Sequence, residues 1–431
     1  MNRIAIKTLG CKLNFSESAG IERLLLAKGY RIVSFEEAAD IYIINTCAVT
    51  AEAEKKCLYY ARSVKKKYPQ SKIAFIGCFS SLRSQTLMDG KKADIVLGSN
   101  NKNLVVEKID ALFQATQPSV PLSEKEDKTS FFSAYSLHER TRSFLKIQDG
   151  CDYFCTYCTI PYARGNSRSD TVQNVIKNVK DIVAHNIKEI VLTGVNIGDF
   201  KTQKGENFFS LLQQIIAIEG LERLRISSIE PNLLTREILQ LSAESEIILP
   251  HFHIPLQSGS NTTLKKMKRR YNKETFGEKI MEIKQLMPDA CIAVDVIAGF
   301  PSESEEDFME SYLFIKNLPI SYLHIFPYSR RAGTPAYHLP EQIPTSIKNQ
   351  RTQQLIELSN EKKHQFYAEN IGSVRSILLE SATSDNRIVG FTDNYIKVAV
   401  EGSRELINSI QTVSLVDFID KDTLKGKIIV K

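Results

Sequence analysis

The segment Gly150-Cys151-Asp152-Tyr153-Phe154-Cys155-Thr156-Tyr157-Cys158 sets three thiols within eight residues in a C-x-x-x-C-x-x-C arrangement. Thiolates ligate both zinc and iron–sulfur clusters. Structural zinc is closed by four ligands, and the nearest histidine, His138, lies thirteen residues before Cys151, outside the usual finger spacings. Three thiolates with no fourth hold three irons of a cubane and leave one iron open. An open iron suits a small ligand that binds through an amine and a carboxylate, and a cluster that passes it an electron can break a bond by one-electron chemistry.

The elements that must position such thiols are legible around them. Phe144-Leu145-Lys146-Ile147-Gln148, just before the motif, alternates as a strand does. Near the start of the chain, Ile4-Ala5-Ile6-Lys7-Thr8-Leu9-Gly10-Cys11, Ile41-Tyr42-Ile43-Ile44-Asn45-Thr46-Cys47 and Ile73-Ala74-Phe75-Ile76-Gly77-Cys78 each read as a short apolar strand ending in a cysteine. Helical patterns follow from Ser16 to Lys28, from about Ala51 to Lys67, and after Cys78. Strands alternating with helices predict a doubly wound parallel sheet, whose ligands gather at the carboxyl ends of the strands. A lone cysteine is usually a small buried hydrophobe. Three at equivalent positions on one sheet edge predict a second three-thiol site, whereas Cys57, inside a helix, and Cys291, at the start of a strand, read as packing thiols.

At 431 residues the chain is too long for one core. An unpatterned stretch from Ala115 to Ser130 reads as a linker, giving expected units at 1–128, 129–370 and 371–431. The central unit is expected to hold six strands, at Thr141 to Gln148, Ile187 to Thr193, Arg223 to Ser227, His251 to Ile254, Ile292 to Ile297 and Ser321 to Ile325, separated by helices. After a helix from Ser346 to about Asn370, five short strands around glycine-containing turns predict a small OB-like barrel. No apolar run reaches membrane-spanning length, and the start lacks a signal-peptide core, so a cytoplasmic location and cysteines free of disulfides are expected. A net charge of +6 hints mildly at a polyanionic partner. The most basic run, Lys265 to Arg270 with Lys273, reads as either a solvated helix face or a phosphate-contacting strip.

With Tyr157 before its last cysteine, the motif resembles the radical S-adenosylmethionine (SAM) superfamily, where an aromatic there packs near the adenine. The central unit resembles that superfamily's partial six-unit barrel. Two three-thiol sites on one chain resemble the methylthiotransferase family over nearly the whole length. The resemblance implies two 4Fe–4S clusters, on Cys11, Cys47 and Cys78 and on Cys151, Cys155 and Cys158, with SAM as the further cofactor. It implies a transferase using two SAM per turnover, one giving its methyl to a sulfur at the first cluster, the other cleaved at the second to a radical that takes a hydrogen from carbon. No side chain then need be a catalytic nucleophile or base.

Thr8-Leu9-Gly10-Cys11-Lys12-Leu13-Asn14 and Ile160-Pro161-Tyr162-Ala163-Arg164-Gly165 look most like the branch acting on N6-threonylcarbamoyladenosine beside the tRNA anticodon. The alternatives are the isopentenyladenosine branch, which tends to carry a tyrosine before the glycine and Gln-Met after the cysteine, and the branch acting on an aspartate of a ribosomal protein. Partners implied are a tRNA anticodon stem-loop and an electron-donor protein, with neither membrane nor DNA. By resemblance, SAM contacts fall on Tyr157, Gly194 (weakly, in a turn departing from the Gly-Gly-Glu form), Glu230, Gln257, Arg269, Asp295 and Ile297, with His253 a satisfied barrel histidine. Arg164 or Arg331 would hold the substrate's carboxylate. The C-terminal unit resembles the TRAM module, yet residues 371–431 carry eight basic against eight acidic side chains, so RNA binding there would rest on an asymmetric surface or on stacking by Phe391 or Tyr395.

Overall fold

Five strands form the first sheet: β1 (Arg3–Thr8), β2 (Arg31–Val33), β3 (Ile41–Thr46), β4 (Lys72–Gly77) and β5 (Ile95–Leu97), in the order β2-β1-β3-β4-β5, every pair parallel. The structure is a computed structural model and describes residues 2–89, 93–114, 130–137 and 141–429. All six residues of β3 are buried because the sheet is covered on both faces. Ile41 and Ile43 pack with Ile21, Leu25 and Ile109 of the helices Lys12–Ala27 and Val105–Gln114. Tyr42 and Ile44 pack with Cys57, Ala61 and Val64 of the helix Ala51–Lys67 on the other face. Thr50 caps that helix by accepting from the Ala53 amide at 3.2 Å, and Lys65, Lys66 and Lys67 sit in its last turn, where the dipole favours cations. The edge strands β2 and β5 were not expected; at three residues each, they are too short to show a period.

The central unit contains the six strands expected, with a two-stranded ribbon beside them. β6 (Arg142–Lys146), β7 (Gln148–Asp149), β8 (Arg168–Ser169), β9 (Glu189–Thr193), β10 (Arg223–Ile226), β11 (His251–Gln257), β12 (Cys291–Ala298) and β13 (Tyr322–Pro327) follow one another in the chain. They form parallel sheets β10-β9-β6 and β11-β12-β13, joined by bridges at Leu224–Ile248 and Ser228–His253 into one open, curved barrel wall. Helices cover its outside, and one hydrophobic cluster joins residues from Leu137 to Leu358 between helices and strands. The ribbon β7–β8 pairs Gln148 with Ser169 and Asp149 with Arg168, fixing the base of the cysteine loop.

The helix Thr345–Glu369 leads into a closed barrel of β14 (Val374–Ala382), β15 (Arg387–Thr392), β16 (Lys397–Glu401), β17 (Ile410–Asp420) and β18 (Thr423–Ile428). This barrel seals the amino-terminal end of the central strands. Arg225 donates to the carbonyls of Thr392 and Asp393, both at 2.8 Å, while Tyr395 stacks on His251 with centroids 4.1 Å apart. Phe391 stacks on Tyr395 at 4.7 Å and lies beneath Arg142. The expectation that Phe391 or Tyr395 offers a stacking platform for bases is therefore corrected: both rings are spent on the floor of the central barrel. The linker read at Ala115 to Ser130, up to residue 129, lies outside the described residues, as does His138.

The first sheet is joined to the central barrel by a buried ionic network. Glu17 takes Lys102 and Lys146 (2.7 Å) on its two oxygens and Arg164 at 3.1 Å, and Asp149 takes Lys146 and Arg164, each at 2.8 Å, and Arg168 at 3.1 Å. Glu17 and Lys102 belong to the first unit and the rest to the second. Burial opposes ionisation of Glu17 and Asp149, but Arg164, Lys102 and Lys146 outweigh it, and both carboxyls are held well below their ordinary range. A depressed folded pKa gives stability that is complete above the unfolded value, about 4. It falls away as pH drops through that value toward the folded one. Glu17→Gln, which leaves Lys102 with no carboxylate and Lys146 and Arg164 with that of Asp149 alone, is expected to lower stability by about 3–5 kcal/mol at pH 7. Anaerobic urea unfolding of the full chain should show this loss, and the gap between variant and wild type should narrow below about pH 4.

Candidate functional site

The cysteine loop hangs from the end of the β7–β8 ribbon. The Cys151 amide donates to Gly165 O at 3.1 Å, and Phe154 takes a left-handed backbone, φ 48°, to turn the loop between its first and second cysteines. Each sulfur accepts a hydrogen bond: Cys151 from the Tyr153 amide at 3.4 Å, Cys155 from Arg269 Nη1 at 3.1 Å, Cys158 from the Ile160 amide at 3.5 Å. Such bonds stabilise thiolate sulfur on a cluster. Burial pushes the Cys151 thiol up to about 11 and, with Cys155 beside it, the Cys158 thiol up to about 12. These positions favour a neutral thiol until a metal removes the proton. A zinc tetrahedron would draw its sulfurs to about 4 Å of one another. Among the described residues the only three metal-type ligand atoms that all lie within 4.8 Å of one another are those of His253, Asp295 and His324, so neither cysteine trio is gathered as tightly as a zinc tetrahedron requires.

Arg269 ties the loop to the barrel. Besides Cys155 it reaches Glu230, the Tyr157 hydroxyl at 3.3 Å and the Tyr271 hydroxyl at 3.1 Å. Burial raises the Glu230 carboxyl despite the Arg269 guanidinium. Tyr157 meets Phe300 edge-on and joins an apolar cluster with Ile297, Met267 and Tyr328, a surface suited to a flat heterocycle. Tyr157, Glu230, Arg269 and Ile297 therefore converge. Gln257 is buried at a bulge in β11 with φ 67°, and Asp295 bonds His253 at 2.7 Å, which accounts for a charge in an apolar strand. Gly194 turns tightly over Gln148, whose Oε1 accepts from the amides of Val195 (2.9 Å) and Asn196 (2.8 Å). A Cβ at Gly194 would meet Gln148 at 2.9 Å, and Asn196 beside it is buried. An apolar cluster at Tyr157 with the Glu230–Arg269 pair bonded to that tyrosine's hydroxyl fits the adenine and a polar end of SAM.

The second trio is assembled by the first sheet. Gly10 has φ 98°, and a Cβ there would lie 2.8 Å from both Cβ and Sγ of Cys47, so glycine is what allows the Cys11 turn to close on Cys47. Burial, with Cys78 and then Cys11 as neighbours, pushes the Cys47 thiol up to about 12. Ser99 donates to Cys78 Sγ at 3.4 Å. The two trios are neighbours, because Thr159, next to Cys158, donates to the carbonyl of Ala48, next to Cys47, at 3.2 Å.

Cys11 also opens on a cavity of about 480 Å³ inside the central barrel. Gly10 to Leu13 line its mouth with Gly194 and Ser228, Arg142, Arg225 and Tyr395 lie deeper, and His253 and His324 form one wall. Lys12 projects into this space, reachable by water yet enclosed by protein; burial, then Arg142 and Arg225, pull it down to about 8. In the sequence Lys12 stands out only as the residue after Cys11 in the branch-like segment Thr8 to Asn14, with nothing there to show that it enters a cavity.

The structure corrects one substrate contact. Arg164 is fully buried, donating to Glu17, Asp149 and Asn14, and is a structural link and not a group open to a ligand. Arg331 is also buried and is paired with Glu54 of the first unit. The basic run Lys265 to Arg270 divides: Arg269 turns inward, Lys266 bonds Ser302 O at 2.7 Å, Arg270 covers Tyr153, and Lys265 and Lys268 are exposed.

Residues 3–98 match the model of Uncharacterized protein family UPF0004, and residues 145–315 match that of the Radical SAM superfamily. The chain is 39% identical over 423 residues to threonylcarbamoyladenosine tRNA methylthiotransferase MtaB of Bacillus subtilis (strain 168), covering 96% of this chain and 94% of that one. It is 34% identical over 421 residues to tRNA-2-methylthio-N(6)-dimethylallyladenosine synthase of Clostridium tetani (strain Massachusetts / E88), covering 95% and 93%. In fold it is similar to the radical S-adenosylmethionine methyltransferase TsrM of Kitasatospora setae, with TM-score 0.58 and 13% identity over 78% of this chain and 77% of that one. If Gly10 is what lets the second trio assemble, Gly10→Ala should lower iron bound after anaerobic reconstitution by about half, from about eight to about four per chain. The absorbance of the cluster on Cys151, Cys155 and Cys158 should remain.

Proposed function

This chain belongs to the methylthiotransferase family of radical SAM enzymes, and from that premise we propose that it adds a methylthio group to C2 of N6-threonylcarbamoyladenosine next to the tRNA anticodon. The higher-identity relatives bear that substrate in their names, and the dimethylallyladenosine enzymes stand further off. The observation that carries the reading is the Thr159–Ala48 hydrogen bond, which makes neighbours of two cysteine trios that lie in separate units.

A radical SAM protein uses a 4Fe–4S cluster and SAM, and we assign that cluster to Cys151, Cys155 and Cys158 and a second to Cys11, Cys47 and Cys78. When bound, these groups supply one-electron cleavage of SAM, a radical able to take an unacidic hydrogen, and a sulfur that carries the methyl. The protein's residues bind, orient and exclude. Arg269 donates to Cys155 and anchors Glu230 and Tyr157, holding one side of the SAM site rigid. Tyr157, Ile297 and Phe300 offer an apolar wall, and the Gly194 turn borders the cavity in which the amino-acid end would be held. The C-terminal barrel covers the lumen below, through Arg225 on the Thr392 carbonyl and Tyr395 on His251, which limits entry of water and quenchers from that end. The target adenosine, unpaired in an anticodon loop, costs about a few kcal/mol to unstack into this space.

Residues 1–128 act as the unit carrying the second cluster, 129–370 as the SAM barrel, and 371–431 as a TRAM-like module that presents tRNA. Gln257 and Asp295 serve the SAM and substrate pocket, and Arg331 borders its entrance. An electron-donor protein reduces the cluster, and the enzyme works in the cytoplasm; no helix among the described residues is long and apolar enough to cross a membrane.

Mass spectrometry of tRNA nucleosides tests the activity. A strain lacking the gene should accumulate the threonylcarbamoyl nucleoside without its methylthio form, and the wild-type gene should restore it. Cys151→Ala should abolish SAM cleavage altogether, whereas Cys11→Ala should still cleave SAM while failing to form product. Restoration of product by Cys11→Ala would remove the second cluster from the reaction.

A further inference from the structure

The threonylcarbamoyl arm ends in a carboxylate, with an ordinary pKa near 3.5 and therefore an anion at neutral pH. A pocket that selects this arm needs a cation with no counter-ion of its own, since a guanidinium already paired has little left to offer a ligand. The cations around the lumen are nearly all committed. Arg142 holds Glu380 at 2.8 Å, and Arg223 and Arg225 share Glu189 at 2.9 and 2.7 Å. Lys146 and Arg164 belong to the Glu17–Asp149 network, Arg269 to Glu230, and Arg331 to Glu54. The nearby anions are equally taken, Glu189 by arginines and Asp295 by His253.

Lys12 is the exception. Among the described residues it makes neither an ion pair nor a hydrogen bond, and it stands in the wall of the 480 Å³ cavity. It is the first residue of the helix Lys12–Ala27, whose N-cap, Cys11, makes no side-chain capping bond and whose first turn carries no acidic residue. Cys11, Lys12, Leu13 and Phe15 all line the cavity, so the positive end of a 16-residue helix opens there beside the ammonium. His324, on the facing wall, is exposed to the same space.

Resting on the activity proposed above, we propose that Lys12, with the first turn of its helix, is the residue that recognises the carboxylate of the threonylcarbamoyl arm and so sets substrate choice. The reactive adenine would then lie toward the Cys11 end of the cavity with its side arm against that turn. This replaces the expectation that Arg164 or Arg331 holds the carboxylate.

The test uses the anaerobically reconstituted full chain and two anticodon stem-loops, one bearing the threonylcarbamoyl acid and one its methyl ester. Binding is read by fluorescence anisotropy, turnover by product mass, and cluster loading by iron content. Wild type is expected to bind the acid about tenfold or more tightly than the ester. Lys12→Gln should erase that preference by weakening the acid alone, raising KM more than it lowers kcat, and Lys12→Arg should keep most of it. A wild type that binds both alike overturns the inference, whatever the variants do. So does Lys12→Gln that keeps the preference, or that weakens acid and ester equally, which would make Lys12 a support for the neighbouring Cys11. Failure of wild type to modify the acid overturns the activity, whereas the binding preference judges Lys12 independently of turnover.

Discussion

The architecture depends on charges placed where water does not reach. Glu17 and Asp149 are fully buried, and each is tolerable only because cations from another part of the chain meet it. Lys102 comes from the first unit, Lys146 and Arg164 from the barrel, and Arg168 from the ribbon under the cysteine loop. Greasy contacts between the units would allow them to slide. Ion pairs with directional hydrogen bonds do not, because a shift of an ångström or two leaves a buried charge alone. The same two units meet next to the cysteine trios, where Thr159 donates to the Ala48 carbonyl.

A second set of charges does similar work at the opposite end. Glu189 gathers Arg223 and Arg225 beneath the central strands, and Arg225 passes on to the carbonyls of the C-terminal barrel. Burial works against the Glu189 carboxylate, and the arginines still hold it below its ordinary range. Tyr395 then stacks on His251, whose imidazole is driven well below its usual range by burial and the nearby cations and so stays neutral in the floor. The C-terminal barrel in this way contributes to the floor of the cavity inside the central barrel. Its charge balance of eight against eight leaves any contact with tRNA to the arrangement of its surface charges and not to net charge.

Reading the sequence located the chemistry because the relevant signals are local. Three cysteines within eight residues, and three more each at the end of an apolar run, need no knowledge of distant contacts. The strands of the central unit were legible for the same reason, since alternation or continuous apolarity is written in a few adjacent residues. Asp295 was flagged as a charge that must be satisfied, and His253 satisfies it. The three-residue edges β2 and β5 were missed because a pattern needs more length than they have.

Arg164 marks the limit. It stands beside the cysteine loop in a segment that looked like a substrate contact, but its partners Glu17 and Asn14 are 147 and 150 residues away in the chain. Phe391 and Tyr395 looked like exposed aromatics because nothing nearby in sequence shows that Arg142 and His251 will cover them. Lys12 went the other way, from one letter of a branch-like segment to the one unpaired cation lining the cavity among the described residues. The sequence by itself determined which residues bear sulfur, which runs become strands, and so what class of chemistry the chain performs. Only the tertiary structure decided which charges are spent on holding the units together and which remains for a ligand, because pairing is a matter of who meets whom across the fold, and burial decides what an unpaired charge costs.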